Sequence, residues 1–241
     1  MMNNPIQTIP FSNLALVFIP VLIVLAIIWK WKLDVKNSVY AMSRMLIQLL
    51  LVGYFLVFIF EYDNFFIVTF VLSIMLLVSS WIALRTLSIP RRLLYFKSFC
   101  AISLASVTIL LLVSQGVLEL HPWYSADKII PLAGMVFASS MNSVSLAGER
   151  LEAEIKRSES FEQARIIAFK ASLIPITNSL FAVGLVSLPG MMTGQILSGV
   201  SPFIAARYQI MVMCMLFGSA GISSAIFLTL LRSNFKTKVA I

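Results

Sequence analysis

Seven stretches of this chain are apolar over lengths that suit a lipid bilayer: residues 12–30, 39–60, 64–84, 98–118, 129–147, 172–198 and 203–231. A helix needs about 20 apolar residues to cross roughly 30 Å of hydrocarbon. Backbone in oil must satisfy its own hydrogen bonds, so helices are the spans to expect. With 60% hydrophobic and only 12% charged residues, and a mean hydropathy of +0.97, the chain falls in the polytopic membrane class. The expectation is an all-α bundle of about seven transmembrane helices, with residues 1–241 forming one integrated domain.

Charge sets the orientation, because Lys and Arg in short loops stay on the cytoplasmic side during insertion. Lys30, Lys32, Lys36 and Arg44 follow the first run, and Arg85, Arg91, Arg92 and Lys97 the third. Arg150, Lys156, Arg157, Arg165 and Lys170 follow the fifth, and Arg232, Lys236 and Lys238 the seventh. Only Lys128 and Arg207 of the 18 basic residues fall outside this set, while Glu61, Asp63, Glu119, His121 and Asp127 mark the opposite side. The amino terminus is expected outside and the carboxyl terminus in the cytoplasm. Trp29, Trp31, Trp81 and Trp123 all sit at predicted span ends, where indole rings prefer to lie. The first run has no preceding base and no small-residue cleavage site, so it reads as a retained span.

One internal stretch is ionised too densely for lipid. Between Glu149 and Lys170 stand five of the chain's ten carboxylates together with five bases, which predicts a charged cytoplasmic helix at about residues 148–171. Such a helix is suited to contact with a soluble partner, through Glu149, Glu152, Glu154, Arg157, Glu159 and Glu162.

Several function classes are excluded or weakened by what the chain lacks. The net charge of +8 is spread along membrane edges, which argues for anionic inner-leaflet lipid and against nucleic acid. No Gly-Lys pair occurs, so there is no GxxxxGK[ST] phosphate loop and no ATP hydrolysis by that route. His121 is the only histidine, which removes zinc-hydrolase and Ser/His/Asp chemistry; the chain reads as no enzyme, with no cofactor or metal site of its own. Cys100 and Cys214 lie in or beside apolar runs and read as small buried hydrophobes. Residues 203–231 contain no lysine, so a retinal Schiff base is excluded. Every Asp and Glu lies in a loop or in the charged stretch, leaving Arg207 alone near a membrane interior, which weakens an ion-coupled carrier.

The sixth run carries the strongest sign of a path through the membrane. Between Pro175 and Pro189 a helix would be about 20 Å long, too short for the hydrocarbon core. Either the helix starts earlier, near Ile166, and residues 191–199 form a short re-entrant piece, or one span is broken at Leu188-Pro189-Gly190. Irregular backbone at membrane depth survives only in protein or against a cavity. Gly190, Gly194 and Ser198, and likewise Gly134, Ala138 and Asn142, recur every four residues and predict faces for close helix approach. Gln48, Asn142, Asn178, Gln195 and Gln209 are amides inside apolar runs and should face the interior or a wet cavity. Met135, Met141, Met191, Met192, Met211, Met213 and Met215 crowd the last three runs, where thioethers either pack or offer soft donors. The candidates for a transport path are Gln48, Asn142, Asn178, Pro189, Gly190, Met191, Met192, Gln195, Gln209 and Met211.

The run Gly184-Leu185-Val186-Ser187-Leu188-Pro189-Gly190-Met191-Met192-Thr193-Gly194, with Tyr208-Gln209-Ile210-Met211-Val212 after a Ser201-Pro202 turn, resembles the signature of the Fet-type (FetB-like) ABC transporter permeases. Ile47-Gln48-Leu49, Val52-Gly53-Tyr54 and Ile130-Pro131-Leu132-Ala133-Gly134-Met135 extend the resemblance over nearly the whole chain. That family is linked to iron export in bacteria and includes plant aluminium-tolerance permeases, one of them tied to UDP-glucose. The resemblance implies a permease subunit in the bacterial inner membrane, working as a homodimer with a separate cytoplasmic ABC ATPase that holds the ATP and magnesium. The charged segment would then be the coupling helix. Glu152-Ala153 with Ser160, Gln163 and Ala164 is similar to a degenerate EAA docking loop, with Ser158 near the place of its usual glycine. The alternatives are a permease for another solute, such as a nucleotide sugar, or a carrier without an ATPase. Asn178 and Phe181 stand where the family commonly has an acidic residue and a lysine, which bears on the substrate.

Overall fold

The computed structural model describes residues 10–62, 64–157 and 160–236, and it forms two compact units, Met1–Glu61 and Tyr62–Ile241. In the smaller unit α1 (Phe11–Leu16) leads into α2 (Phe18–Lys30), and α3 starts at Val35 and runs to Tyr62. The turn between α2 and α3 is local chemistry. Lys32 adopts φ +57, Leu33 N donates to Ile28 O (3.0 Å), and Asp34 Oδ1 accepts from Asn37 N (3.1 Å) to cap α3. No side chain of α2 is buried, as expected of a helix whose apolar surface is meant for lipid.

The larger unit is built from α4 (Phe65–Ala83), α5 (Arg91–Leu111), α6 (Ala126–Lys156), α7 (Phe161–Ala182), α8 (Gly190–Leu197) and α9 (Pro202–Lys236). A π-helical extension, Leu112–Val117, continues α5. Asn64 caps α4, accepting from Phe66 N at 2.8 Å. The described residues contain no strand; a single bridge pairs Val183 with Ser187. Among the described residues six helices are long and apolar enough to cross a membrane: Ser12–Lys30, Val35–Ile59, Phe65–Ala83, Arg91–Val117, Ala126–Lys156 and Pro202–Ser233. These match six of the seven apolar runs. The remaining run, 172–198, is divided between the end of α7 and the short α8.

The charged segment at 148–171 is not one helix. Its first part is the last two turns of α6, which ends at Lys156, and its second part is the start of α7 at Phe161. The reason is a competing cap. Ser160 Oγ accepts from Gln163 N (3.3 Å) in a Ser-x-x-Gln arrangement, and Glu162 stands in the first turn against the positive end of the helix dipole. Residues 158–159, Glu159 among them, lie outside the described residues, as do Asp63 and Lys238.

α6 is the central element and packs against α4, α5, α7 and α9. Lipid gives no hydrophobic drive for helices to associate, so close approach and hydrogen bonds must hold them. Here serines supply both. Ser140 Oγ lies 3.2 Å from Ser106 Oγ on α5 and 3.3 Å from Ser219 O on α9. Ser139 donates to Leu216 O at 3.0 Å. Ser143 meets Ala220 O (3.0 Å), Ser224 Oγ (2.8 Å) and Ser172 O (3.3 Å), joining α6 to α9 and α7 at one point. Glycine sets the closest contact: a Cβ on Gly148 would lie 3.0 Å from both methyls of Leu87 and 3.2 Å from Phe227 Cε1. Aromatic groups mark the two ends, with Trp81 and Tyr95 under Arg91 at one and Phe65, Trp123 and Tyr124 edge to face at the other.

Ser143→Ala removes the hydroxyl shared by three helices. Interhelical hydrogen bonds in membrane proteins average about 0.6 kcal/mol and reach about 1.7, and this shared site belongs at the upper end. Thermal unfolding in detergent should show the loss, and an unchanged melting temperature would contradict this account of the core.

Candidate functional site

The divided sixth run is shaped by backbone satisfaction. α7 stops at Ala182, whose carbonyl accepts N–H groups from Leu185 (3.3 Å), Val186 (2.8 Å) and Ser187 (3.1 Å). Gly184, at φ +84, donates to Ser187 O at 3.0 Å, a geometry that a side chain would strain. Pro189 then takes the N-cap position, with no N–H to satisfy, and α8 begins at Gly190. α8 ends in a Schellman turn: Gly199 has φ +91, its N–H reaches Ile196 O, and Val200 N reaches Gln195 O, each at 3.0 Å. The loop tip is apolar and outward, with Leu185 91% and Val186 84% exposed. Both sequence alternatives are partly right: the helix does start earlier, at Phe161, and the interruption does precede Pro189. Gly190 and Gly194 have nothing within 4 Å of where a Cβ would stand, so the close approach expected of that stripe is not made within this chain. In the other stripe Gly134 meets Met75 Cε at 3.4 Å, while Ala138 and Asn142 are exposed.

α8 lies on α9 and separates two cavities. Met191 and Gln195, one turn apart, line the first, of about 380 Å³, together with Met135 of α6 and Tyr208 and Met211 of α9; Asp127 and Lys128 also border it. Met192 lines the second, of about 350 Å³, with Gln209, Met213 and Cys214. Gln195 Oε1 and Gln209 Oε1 are both buried without a hydrogen-bond partner. A third cavity of about 170 Å³ between α6, α7 and α9 is lined by Asn142 and the hydroxyls of Ser139, Ser143, Ser172 and Ser179. It adjoins Pro175, a proline inside α7 that leaves the Ala171 carbonyl without its helical donor.

Most path candidates thus gather around α8 and its neighbours, and others do not. Asn178 is exposed and lines none of these three cavities, and neither do Pro189 and Gly190. Gln48 belongs to the smaller unit, where its amide oxygen, turned toward Arg44, accepts from Nε at 3.1 Å. Arg207 lies over the Phe203 ring at 4.7 Å, exposed in the first turns of α9 and not deep in a span. Among the described residues no group of three or more His, Cys, Asp or Glu is placed to hold a metal ion.

At the opposite end the α4–α5 turn, the end of α6, the start of α7 and the end of α9 carry most of the unit's charge. Glu152 is only 8% exposed, and its carboxylate accepts from Ser88 N (2.9 Å) and Ile89 N (3.3 Å), tying the α4–α5 turn to α6. Glu154 is also buried, paired with Arg150 at 2.7 Å and Arg157 at 3.2 Å. Sequence reasoning placed both on a partner surface; the structure turns both inward. Glu149 and Glu162 remain exposed, with Glu162 bridging Arg165 (2.7 Å) and Arg232 (3.3 Å) and so linking α7 to α9. Lys97 of α5 donates to Leu230 O (2.8 Å) and Ser233 Oγ (2.6 Å), closing the same end.

Residues 11–235 match the model of an uncharacterised protein family, UPF0014. The chain belongs to this family. Among its UPF0014 relatives, the membrane protein slr1647 of Synechocystis is 37% identical over 81% of this chain and 82% of its own length. The probable iron export permease protein FetB of Escherichia coli K12 is 33% identical over 89% and 88%, and the protein ALUMINUM SENSITIVE 3 of Arabidopsis thaliana is 31% identical over 90% and 85%. No solved structure gives a significant match. The chain is an integral membrane protein with several apolar helices, from the family to which its Fet-type signature pointed.

Sequence reasoning missed two parts of the site. The Glu152 anchor joins residues 64 positions apart, and no local spacing announces it. Tyr208 could have been found, because it stands three residues before Met211 on one face of α9. Glu152→Ala leaves the Ser88 and Ile89 N–H groups without their charged acceptor and should cost about 2–4 kcal/mol. Faster tryptic cleavage at the exposed Arg85 and a lower melting temperature in detergent are the expected results, while wild-type resistance would refute the anchor.

Proposed function

We propose that this chain is the membrane-spanning permease subunit of an ATP-driven ABC transporter that exports metal ions, with iron as the substrate suggested by the FetB relative. In this reading the chain crosses the bacterial inner membrane seven times. α7, about 33 Å long at 1.5 Å per residue, completes the sixth crossing that composition alone does not mark. The amino terminus lies outside and the carboxyl terminus in the cytoplasm, because the base-rich end belongs on the cytoplasmic side.

The observation that carries this reading is the construction of the charged end. Its inward carboxylates, Glu152 and Glu154, stiffen the place where four elements meet, while Glu149 is exposed for a partner and Glu162, paired with Arg165 and Arg232, is exposed as well. A soluble ATPase supplied in trans fits a chain without a phosphate-binding loop. ATP and magnesium are held there and not by this chain. The enclosure is completed by a second copy related by two-fold symmetry. The unfilled Gly190-Gly194 face and the outward Leu185 and Val186 are the surface available for it.

The test is copurification and ATP hydrolysis from native membranes, followed by reconstitution. A cytoplasmic ABC ATPase should copurify with the tagged chain. Glu149→Lys and Glu162→Lys should weaken that association by roughly tenfold, about 1.4 kcal/mol, because like charges meet at the contact. Exposed pairs contribute about 0–1 kcal/mol to folding, so these variants should stay folded. Normal coupling in both variants would remove the docking assignment. Transport by the chain alone on an ion gradient would replace the ABC reading with a secondary carrier.

A further inference from the structure

The cavity of about 380 Å³ beside α8 is lined by thioethers alone as its sulfur groups, where the neighbouring cavity has two thioethers with the Cys214 thiol. Three thioethers line it, each from a different helix: Met135 from α6, Met191 from α8 and Met211 from α9. All three are half-buried. Gln195 stands one turn after Met191 on the same wall, and its Oε1 is buried with nothing to donate to it. A buried oxygen in that state costs about 1–3 kcal/mol until a donor or a cation reaches it. Leucine would fill this wall as well as methionine does, with better-defined rotamers, so three thioether residues lining one void beside an unpartnered acceptor call for more than packing. Hard and borderline divalent ions favour carboxylate and imidazole ligands, and no such group of three exists among the described residues. Thioethers select soft monovalent ions.

We propose that this cavity binds a soft monovalent cation of the copper(I) class through the sulfurs of Met135, Met191 and Met211, with Gln195 Oε1 at its edge. The role of the site as a stop on an export route rests on the permease reading, with a soft monovalent ion in place of iron as the cargo at this stop; binding itself does not. Asp127 at the border attracts the ion, and the adjacent Lys128 offsets part of that attraction. Thioether ligation is neutral, so the ion keeps its full charge and leaves readily, as a transported ion must. One of the three donors sits on α8, beyond the break, so displacement of α8 would open the triad.

The experiment uses the purified full chain in detergent, with silver(I) as a redox-inert probe and copper(I) under anaerobic competition with a chromophoric chelator. One readily exchanging equivalent at this site is expected, with a sulfur-dominated first shell in X-ray absorption. Met191→Leu should weaken binding by about tenfold or more, within the range seen when a supporting metal contact is lost. The triple variant M135L/M191L/M211L should abolish it. Leucine conserves volume and costs under about 1.5 kcal/mol at such sites, so the variants should fold. Met45→Leu, in the smaller unit, should leave affinity unchanged. Absence of binding, a first shell of oxygen or nitrogen, or binding untouched by the triple variant would overturn the inference. If an ATPase copurifies and iron(II) stimulates it while silver(I) fails to bind, the permease reading stands and this site falls. If silver(I) binds the triad and no ATPase associates, the site stands and the permease reading falls.

Discussion

The close approach of α6 to its neighbours is the interaction on which the larger unit depends, and it is achieved with hydroxyls and glycine. A leucine-rich seam would gain nothing in lipid, because the tails it displaces are equally apolar. Ser139, Ser140 and Ser143 instead bring α6 near enough to α9 for side chains to reach the carbonyls of Leu216, Ser219 and Ala220. Those carbonyls already accept within their own helix, so the serines add a second bond without breaking the first. The polar atoms are satisfied in pairs across helices, which fixes axial register as apolar contact alone does not. At Gly148 the register brings Leu87 and Phe227 to van der Waals distance, and one turn further Glu152 takes the N–H groups of Ser88 and Ile89. The packing of the span and the order of the charged end are one structure.

The same need to satisfy backbone explains why the chain tolerates an interruption after α7. A loop with free N–H groups would not persist beside lipid. The three N–H groups after Gly184 all turn back on one carbonyl, that of Ala182, and proline at 189 removes a fourth donor. Leu185 and Val186 stand outward at the tip, so the loop presents hydrocarbon to its surroundings while the N–H groups of residues 185 to 187 turn back on Ala182. This is the physical content of the GLVSLPG run, whose first glycine supplies a positive φ, whose proline starts a helix, and whose second glycine leaves an uncovered face.

What could be read from the sequence follows from which forces are local. Apolar length and charge asymmetry act over about 20 residues, and they located six apolar helices and the ionised end, while the run 172–198 proved divided. Capping acts over four residues, and Ser160 with Gln163 shows why the ionised segment at 148–171 is two helix ends and not one helix; the capping signal was present but outweighed by the charge pattern. Side-chain direction was not legible. Glu152 and Glu149 are three residues apart, and one is buried against a turn while the other is exposed, because α4 and α5 approach only one side of α6. The stripe Gly190, Gly194 and Ser198 has the spacing of a packing face, yet spacing alone names no partner, and none is present within the chain. Asn178 has the chemistry of a buried amide but falls on an exposed side of α7.

The cavities and the charged end are joined by helices that run the length of the unit. From Met135 to Glu152 on α6 is about 25 Å at 1.5 Å per residue, and from Met211 to Arg232 on α9 about 32 Å. Both helices are held to each other by the serine contacts between them. α8 is different in kind. It packs chiefly on α9, is bounded by positive-φ glycines at 184 and 199, and carries Met191, Met192 and Gln195 into two cavities at once. The cavity that holds Met135 and Met211 is thus lined both by long helices continuous with the charged end and by a short helix set off by those two glycines. α8, of eight residues, contributes Met191 and Gln195 to that void and takes no part in the serine contacts that hold α6 to α9.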